Sequence, residues 1–301
     1  MRWRRFGKLG GKTRTEPRLG ERAIFAAVEQ TLRDEVSIAR KRWHQHTDFE
    51  YLRPIVDSAK QRARITEQGS NADATARAWL RALVLQAPHA AQAQVQMDKH
   101  RHGFHDRSNR VMELIDFNDA YVSTVLAMPP DHLHDFNNET KQLIDWFCKR
   151  VGAWTFTDEQ FEAIAHGLSR EIAVYNAVQA AGFGAQMTTR SEDAFGIDIH
   201  ITDRATGRRI NVDIKTTSAF HYRLIELLSE GRIEDADMDL AETRGYAAVY
   251  NGHGDEKIRV VLWRIDHDTL GDIQDFAFAT TEQLIRELNE IFTAYGEIPD
   301  Y

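Results

Sequence analysis

Apolar positions recur with a helical period through the first half of the chain and with a strand period in stretches of the second. Ile24, Val28, Leu32 and Val36 follow at four-residue spacing, which lays a single stripe along a helix. Residues 72–86 (ADATARAWLRALVLQ) are rich in strong helix formers, and Pro88 predicts a break after them. Residues 111–128 form a further helical stretch, stopped by Pro129 and Pro130. Residues 139–151 form another, with Leu143, Ile144, Phe147 and Val151 on one side. Residues 157–181 predict a helix opened by a Thr157/Gln160 capping box and closed by Gly182, with Gly167 as a point where it could divide. After it the texture changes. Residues 197–202, 210–215, 246–250 and 258–265 alternate apolar with polar, the period of half-buried strands. Thr206 and Gly207 suit a hairpin turn between the first two. Residues 281–295 close the pattern as a helix facing Leu284, Ile285, Leu288 and Phe292 inward. The expectation is therefore an α/β domain over residues 151–301, with a mixed sheet between helices, preceded by an α-helical domain over residues 21–150. Residues 1–20 show neither period and predict a flexible arm.

Composition narrows the class. The 301 residues are 42% hydrophobic and 28% charged, the balance of a soluble globular protein. The apolar runs are too short to cross a bilayer, and the first twenty residues lack the apolar core of a secretory signal. A single cysteine, Cys148, excludes an intrachain disulfide framework and an all-cysteine zinc site. A reducing, cytoplasmic setting without membrane attachment is the expectation. The net charge of −8 is unevenly spread. Residues 1–20 hold seven Lys/Arg against Glu16 alone, residues 21–150 are balanced, and the acidic excess lies beyond. Such an arm suits a polyanion. Arg2, Arg4, Arg5, Lys8 and Lys12 are candidate phosphate contacts, and Trp3 and Phe6 between them could stack on bases.

The second half carries the chemistry. In GIDIHIT, alternation turns Ile197, Ile199 and Ile201 to one face and Asp198, His200 and Thr202 to the other. In INVDIKT, Ile210, Val212 and Ile214 share a face, and Asn211, Asp213 and Lys215 the opposite one. If the two strands pair, Asp198, Asp213 and Lys215 lie on one polar face. Two adjacent carboxylates repel unless a cation bridges them, and oxygen ligands of this kind suit Mg²⁺ or Mn²⁺. A neighbouring lysine can hold a water or stabilise charge developing on a phosphate. Upstream, Glu171 falls within the stripe formed by Ile164, Leu168, Tyr175 and Val178, where an unpartnered carboxylate is costly.

Glu171 on a helix, then AAGF, then GID-I-x-I and VDIK at residues 212–215, resembles the PD-(D/E)XK nuclease superfamily over about residues 157–266. The resemblance implies a restriction-endonuclease-like three-layer core and divalent-metal-dependent hydrolysis of phosphodiester bonds, DNA before RNA, with Mg²⁺ or Mn²⁺ as cofactor. It makes Asp198 and Asp213 metal ligands, with the backbone carbonyl of Ile214 beside them. Lys215 would place the attacking water, and Glu171 would assist metal or water from its helix. Ile197 stands where many members carry proline, the second acid is Asp and not Glu, and no Gln follows Lys215 closely. The first two departures are common among members, and the missing Gln brings the chain nearer to Mrr-type nucleases or Holliday-junction resolvases than to RecB-like exonucleases; a homodimer is left open. Two other readings remain: a nuclease fold that acts as a nucleic-acid or protein adaptor, and a helical metal sensor or partner-binding protein.

The sensor reading rests on Asp98, His100, His102, His105 and Asp106, with His132 and His134 in DHLHD, whose spacings could supply zinc or nickel ligands. His200 shares the face of Asp198 and could reach phosphate, although packing is the simpler explanation. Trp146 and Phe147 read as core. Walker-type glycine loops, dinucleotide fingerprints and nucleophile elbows are absent from the sequence.

Overall fold

The structure, a computed structural model, describes residues 21–42, 49–99, 107–188, 192, 195–251, 257–266 and 270–297. The basic arm, and with it Arg2, Arg4, Arg5, Lys8 and Lys12, lies outside the described residues, as do His100, His102, His105 and Asp106.

The first half folds as helices: α1 (Glu21–Arg42), α2 (Arg53–Glu67), α3 (Ala72–Lys99), α4 (Arg107–Ala127) and α5 (Phe136–Val151). The expected stripe of α1 is realised, since Ile24, Val28, Leu32 and Val36 are all buried. Pro88 does not end α3, which continues for 28 residues with the proline inside it. A proline in a helix costs roughly 3 kcal/mol through a lost hydrogen bond and a steric clash. Here Leu83, Val84, Leu85, Ala87, Ala90 and Ala91 are buried around it, and that packing outweighs the local defect. Phe147 is core, as expected, whereas Trp146 is half-buried beneath the guanidinium groups of Arg33 and Arg150, 5.1 and 5.8 Å from its ring centroid. No helix among the described residues is long and apolar enough to cross a membrane.

The second half is a mixed α/β assembly. α6 (Asp158–Ala180) opens with the expected capping box: the Gln160 N–H donates to Thr157 Oγ1 at 3.2 Å, and the Thr157 N–H donates to Gln160 Oε1 at 2.9 Å. Strands β1 (Gly184–Met187), β2 (Ile199–Thr202), β3 (Arg209–Lys215), β4 (Tyr246–Asn251) and β5 (Ile258–Arg264) form one sheet in the order β1-β2-β3-β5-β4. The β3–β5 pair is parallel and the others antiparallel. Gly207, at φ +72°, closes the β2–β3 turn, where its N–H donates to the Asp203 carbonyl at 2.8 Å.

Side-chain alternation divides the sheet into two faces. Ile199, Ile201, Ile210, Val212, Ile214, Val261 and Trp263 pack beneath the C-terminal half of α6 and beneath α9 (Glu282–Tyr295). Val249, Val260 and Leu262 pack on the other face against α7 (Thr217–Ser229) and α8 (Asp235–Arg244). The result is three layers, with helices on both faces of the sheet.

α6 joins the two halves. Phe161, Ala165, Leu168 and Ile172 belong to the helical core, while Ala173, Val174, Ala177 and Val178 belong to the sheet core. Gly167 does not divide the helix. The short hairpin β6 (Ile273–Gln274) and β7 (Ala277–Phe278) returns to the same junction. Its turn holds Asp275 and Phe276 at φ +48° and +61°. The left-handed region costs a non-glycine residue roughly 1–2 kcal/mol. Phe276 is buried in the helical core, edge-on to Phe136 at 5.7 Å, and its carbonyl accepts from Asn176 Nδ2 of α6 at 3.0 Å. Burial of a phenylalanine side chain, worth roughly 1.5–3 kcal/mol, offsets that strain.

Candidate active site

β2 and β3 pair with Ile199 opposite Val212, and the next step of that register sets Asp198 opposite Asp213. The Asp198 N–H donates to the Val212 carbonyl at 2.8 Å, so the backbone is still paired there although β2 starts one residue later. Asp198 Oδ2 accepts the Ile214 N–H at 2.6 Å, so a side-chain carboxylate continues the ladder where the neighbouring strand has ended. Asp213 is 4% exposed and ion-pairs with Lys215 Nζ. The shared polar face expected from alternation is therefore present for Asp198, Asp213 and Lys215.

Ile197 departs from that expectation. It packs with Phe220, Leu224 and Leu227 on the face opposite Ile199 and Ile201. Regular strand begins only at Ile199, and Gly196 at φ +72° redirects the chain just before it. A Cβ on Gly196 would lie 3.2 Å from Asn251 Nδ2 and 3.7 Å from Asp213 Oδ2. Gly196 thus serves both the turn and the close approach of this loop to the acidic pair.

Electrostatics at the pair are strained. Burial, and then the Asp198 carboxylate, push the Asp213 carboxyl up from 3.8 to about 7, against the opposing pull of Lys215. Burial acts to lower Lys215, but Asp198, Asp213 and Glu171 outweigh it and hold the ammonium above its ordinary value. Lys215 is therefore a firmly charged cation among three carboxylates, and Glu171 of α6 belongs to the same field. Glu171 is half-buried and does not face the apolar interior. It lines a cleft of about 990 Å³ together with Asp198, Met187 and Thr188 on the sheet side.

No protein-family model matches the chain, and neither a curated protein nor a solved structure shows a significant match to it.

The opposite wall of the cleft comes from the helical half: Lys60 and Arg64 of α2, Trp79 of α3, and Asp116, Asn118 and Asp119 of α4. None of these was a candidate from the sequence. Their spacings are ordinary for helical surfaces and cores, and only the docking of α4 against α6 brings them opposite Glu171.

Among the described residues, no group of three or more His, Cys, Asp or Glu is gathered tightly enough to hold one metal ion. Mg²⁺, however, is commonly held by one or two carboxylates, with water and substrate phosphate completing the shell. The Asp198/Asp213 pair supplies those two carboxylates, with Ile214 between Asp213 and Lys215 in β3. The two carboxyls also share a side-chain hydrogen bond while Asp213 holds its proton, and their repulsion once both are ionised favours a cation.

The remaining candidates lie elsewhere. His200 is 6% exposed and held between Asn211 Oδ1 at 2.8 Å and Glu192 Oε1 at 2.9 Å, the packed position expected of it. Asp98 accepts from Gln94 at 2.9 Å and from Gln160 at 2.6 Å. His132 and His134 face Asp131 and Asp275 at 3.9 and 3.7 Å. Cys148 is fully buried, and burial raises its thiol to about 12, which leaves it inert.

Proposed function

We propose that the chain is a divalent-metal-dependent nuclease that hydrolyses phosphodiester bonds, in DNA before RNA, on a restriction-endonuclease-like core nearer to the Mrr-type or resolvase branches. The observation that carries the reading is the Asp198/Asp213 pair held beside Lys215 at the end of two paired strands. Its supports are the order of Glu171, Asp198, Asp213 and Lys215 in the sequence and the three-layer arrangement around a mixed sheet.

Asp198 and Asp213 would hold Mg²⁺ or Mn²⁺, with the Ile214 carbonyl as a further oxygen. The ion would supply Lewis-acid stabilisation of charge at phosphorus and a more acidic water. The residues do the rest. Asp213, with its proton released to solvent, would serve as a ligand, and Lys215 would offer a charged N–H to the attacking water or to a non-bridging phosphate oxygen. Glu171, on the same side of the cleft as Asp198, would accept a proton or a hydrogen bond from water.

The test is incubation of the full chain with linear, circular, single-stranded and branched DNA and with RNA, with Mn²⁺, with Mg²⁺ and with EDTA. Metal-dependent cleavage that disappears in Asp213→Ala supports the reading. Nucleic-acid binding with no cleavage under any metal would move it to the adaptor reading.

A further inference from the structure

The cleft beside Glu171 and Asp198 has a composition that suits part of a nucleic acid better than all of a duplex. Its volume of about 990 Å³ lies at the top of the roughly 300–1,000 Å³ range of pockets for single small molecules. Walls from α2, α3 and α4 on one side and from α6 and β1 on the other bound it. A duplex is too wide to fill a cleft of this volume, whereas one unstacked nucleotide fits within it.

Two polar atoms on the helical wall are unspent. Trp79, 5% exposed, has an Nε1–H without a hydrogen-bond partner among the described residues, and Asn118 Oδ1 is likewise buried without one. A buried polar atom left unpaired costs about 1–3 kcal/mol. Both atoms are covered by neighbouring side chains, so a ligand reaches them only when the amide or the indole turns toward the cleft. One is a donor and the other an acceptor, the combination that a base edge satisfies. Asp57, Glu67, Asp116 and Asp119 add carboxylates to the same wall. They disfavour a phosphate there but accept well from the amino groups of bases. Two cations line α2 one helical turn apart: Lys60, which ion-pairs with Asp116 at 3.1 Å, and Arg64, which is exposed. Arg64 suits a phosphate flanking an inserted base.

We propose that this cleft takes one unstacked nucleotide of a single-stranded substrate, with the base against Trp79 and Asn118, a flanking phosphate at Arg64, and the bond to be cut toward Asp198. The inference rests on the nuclease reading for its last element only. The helical half then selects the substrate by admitting an unpaired strand and rejecting an intact duplex.

The test is fluorescence anisotropy with a labelled mixed-sequence single strand and with its blunt duplex, using the full chain in Ca²⁺, alongside cleavage in Mn²⁺. The single strand is expected to bind at least about tenfold more tightly than the duplex. Asn118→Leu and Trp79→Phe, which remove the amide and the N–H, should each weaken the single strand by roughly fivefold and leave the duplex unchanged. Arg64→Ala, an exposed change that leaves folding intact, should lower the salt slope for the single strand by about one. A duplex bound as tightly as the single strand, or an unchanged salt slope in Arg64→Ala with wild-type affinity in both other variants, overturns the proposal. Cleavage of duplex with no effect of these variants would leave the nuclease reading standing and this one fallen. The expected variant pattern in binding, with no cleavage in Mn²⁺, would do the reverse.

Discussion

Asp198 accepts the backbone N–H of Ile214, one residue beyond Asp213, so the first carboxylate is tied to the strand that carries the second. The two acids cannot separate without breaking a ladder contact. Repulsion between them is built into the sheet and is relieved either by a proton on Asp213 or by a cation.

Removal of Asp213 should therefore stabilise the metal-free protein while abolishing activity. The folded carboxyl titrates near 7 against about 3.8 unfolded, so the folded state binds the proton more tightly. The penalty for ionised Asp213 is absent below about pH 4, grows as pH rises through the interval, and is complete above about 7. Asp213→Asn should melt above wild type at pH 8, by a margin on the order of a few kcal/mol, and the margin should shrink toward pH 4. Thermal melts in EDTA across that range check it; a margin that grows on acidification would contradict the assignment.

Metal affinity should rise between pH 6 and pH 8, because the ion competes with a proton on Asp213. Mn²⁺ titration by calorimetry in two buffers of different ionisation enthalpy should show proton release at pH 6 that fades by pH 8. Release that does not vary with pH would place the ion elsewhere.

Lys215→Ala should lower the cleavage rate far more than it lowers metal affinity. A protonated lysine cannot ligate an ion, yet its charge can stabilise a phosphorane-like transition state by a few kcal/mol, on the order of 10²–10³ in rate. Single-turnover cleavage beside calorimetry separates the two quantities. A normal rate would reduce Lys215 to the ion-pair partner of Asp213.

Deletion of residues 1–20 should flatten the salt dependence of nucleic-acid binding and leave the maximal rate nearly unchanged. The arm carries seven Lys/Arg ahead of an acidic second half. Each phosphate contact contributes about 0.9 to the log–log slope, so the loss should amount to several units if most of the seven engage. An unchanged slope would leave substrate binding to the residues beyond 20.

The sequence carried the strand pair and its acids because both follow from a period of two that the structure keeps from Ile199 onward. The same rule placed Ile197 wrongly, since Gly196 bends the backbone at a point no alternation reveals. α2 carries no legible stripe, since its apolar positions are mostly small or interrupted, with only Val56, Ala59 and Ala63 buried. The expected elements also omit α7 and α8. α8 buries only Ala241, so no amphipathic stripe announces it. The wall facing Glu171 is a matter of tertiary docking: Trp79 and Asn118 look like any residues of packed helices until α4 meets α6.

The core of α6 changes owner between Ile172 and Ala173, directly after Glu171. Its first half is clamped among helices and its second half lies on the sheet, so the rod is held at both ends like a beam across a joint. If the two halves rock against each other to admit a strand, the pivot lies at this turn of α6. Points near a fulcrum travel least. The far rim of the cleft, at α2, would swing widest, while Glu171 would keep its station beside Asp198 throughout the stroke.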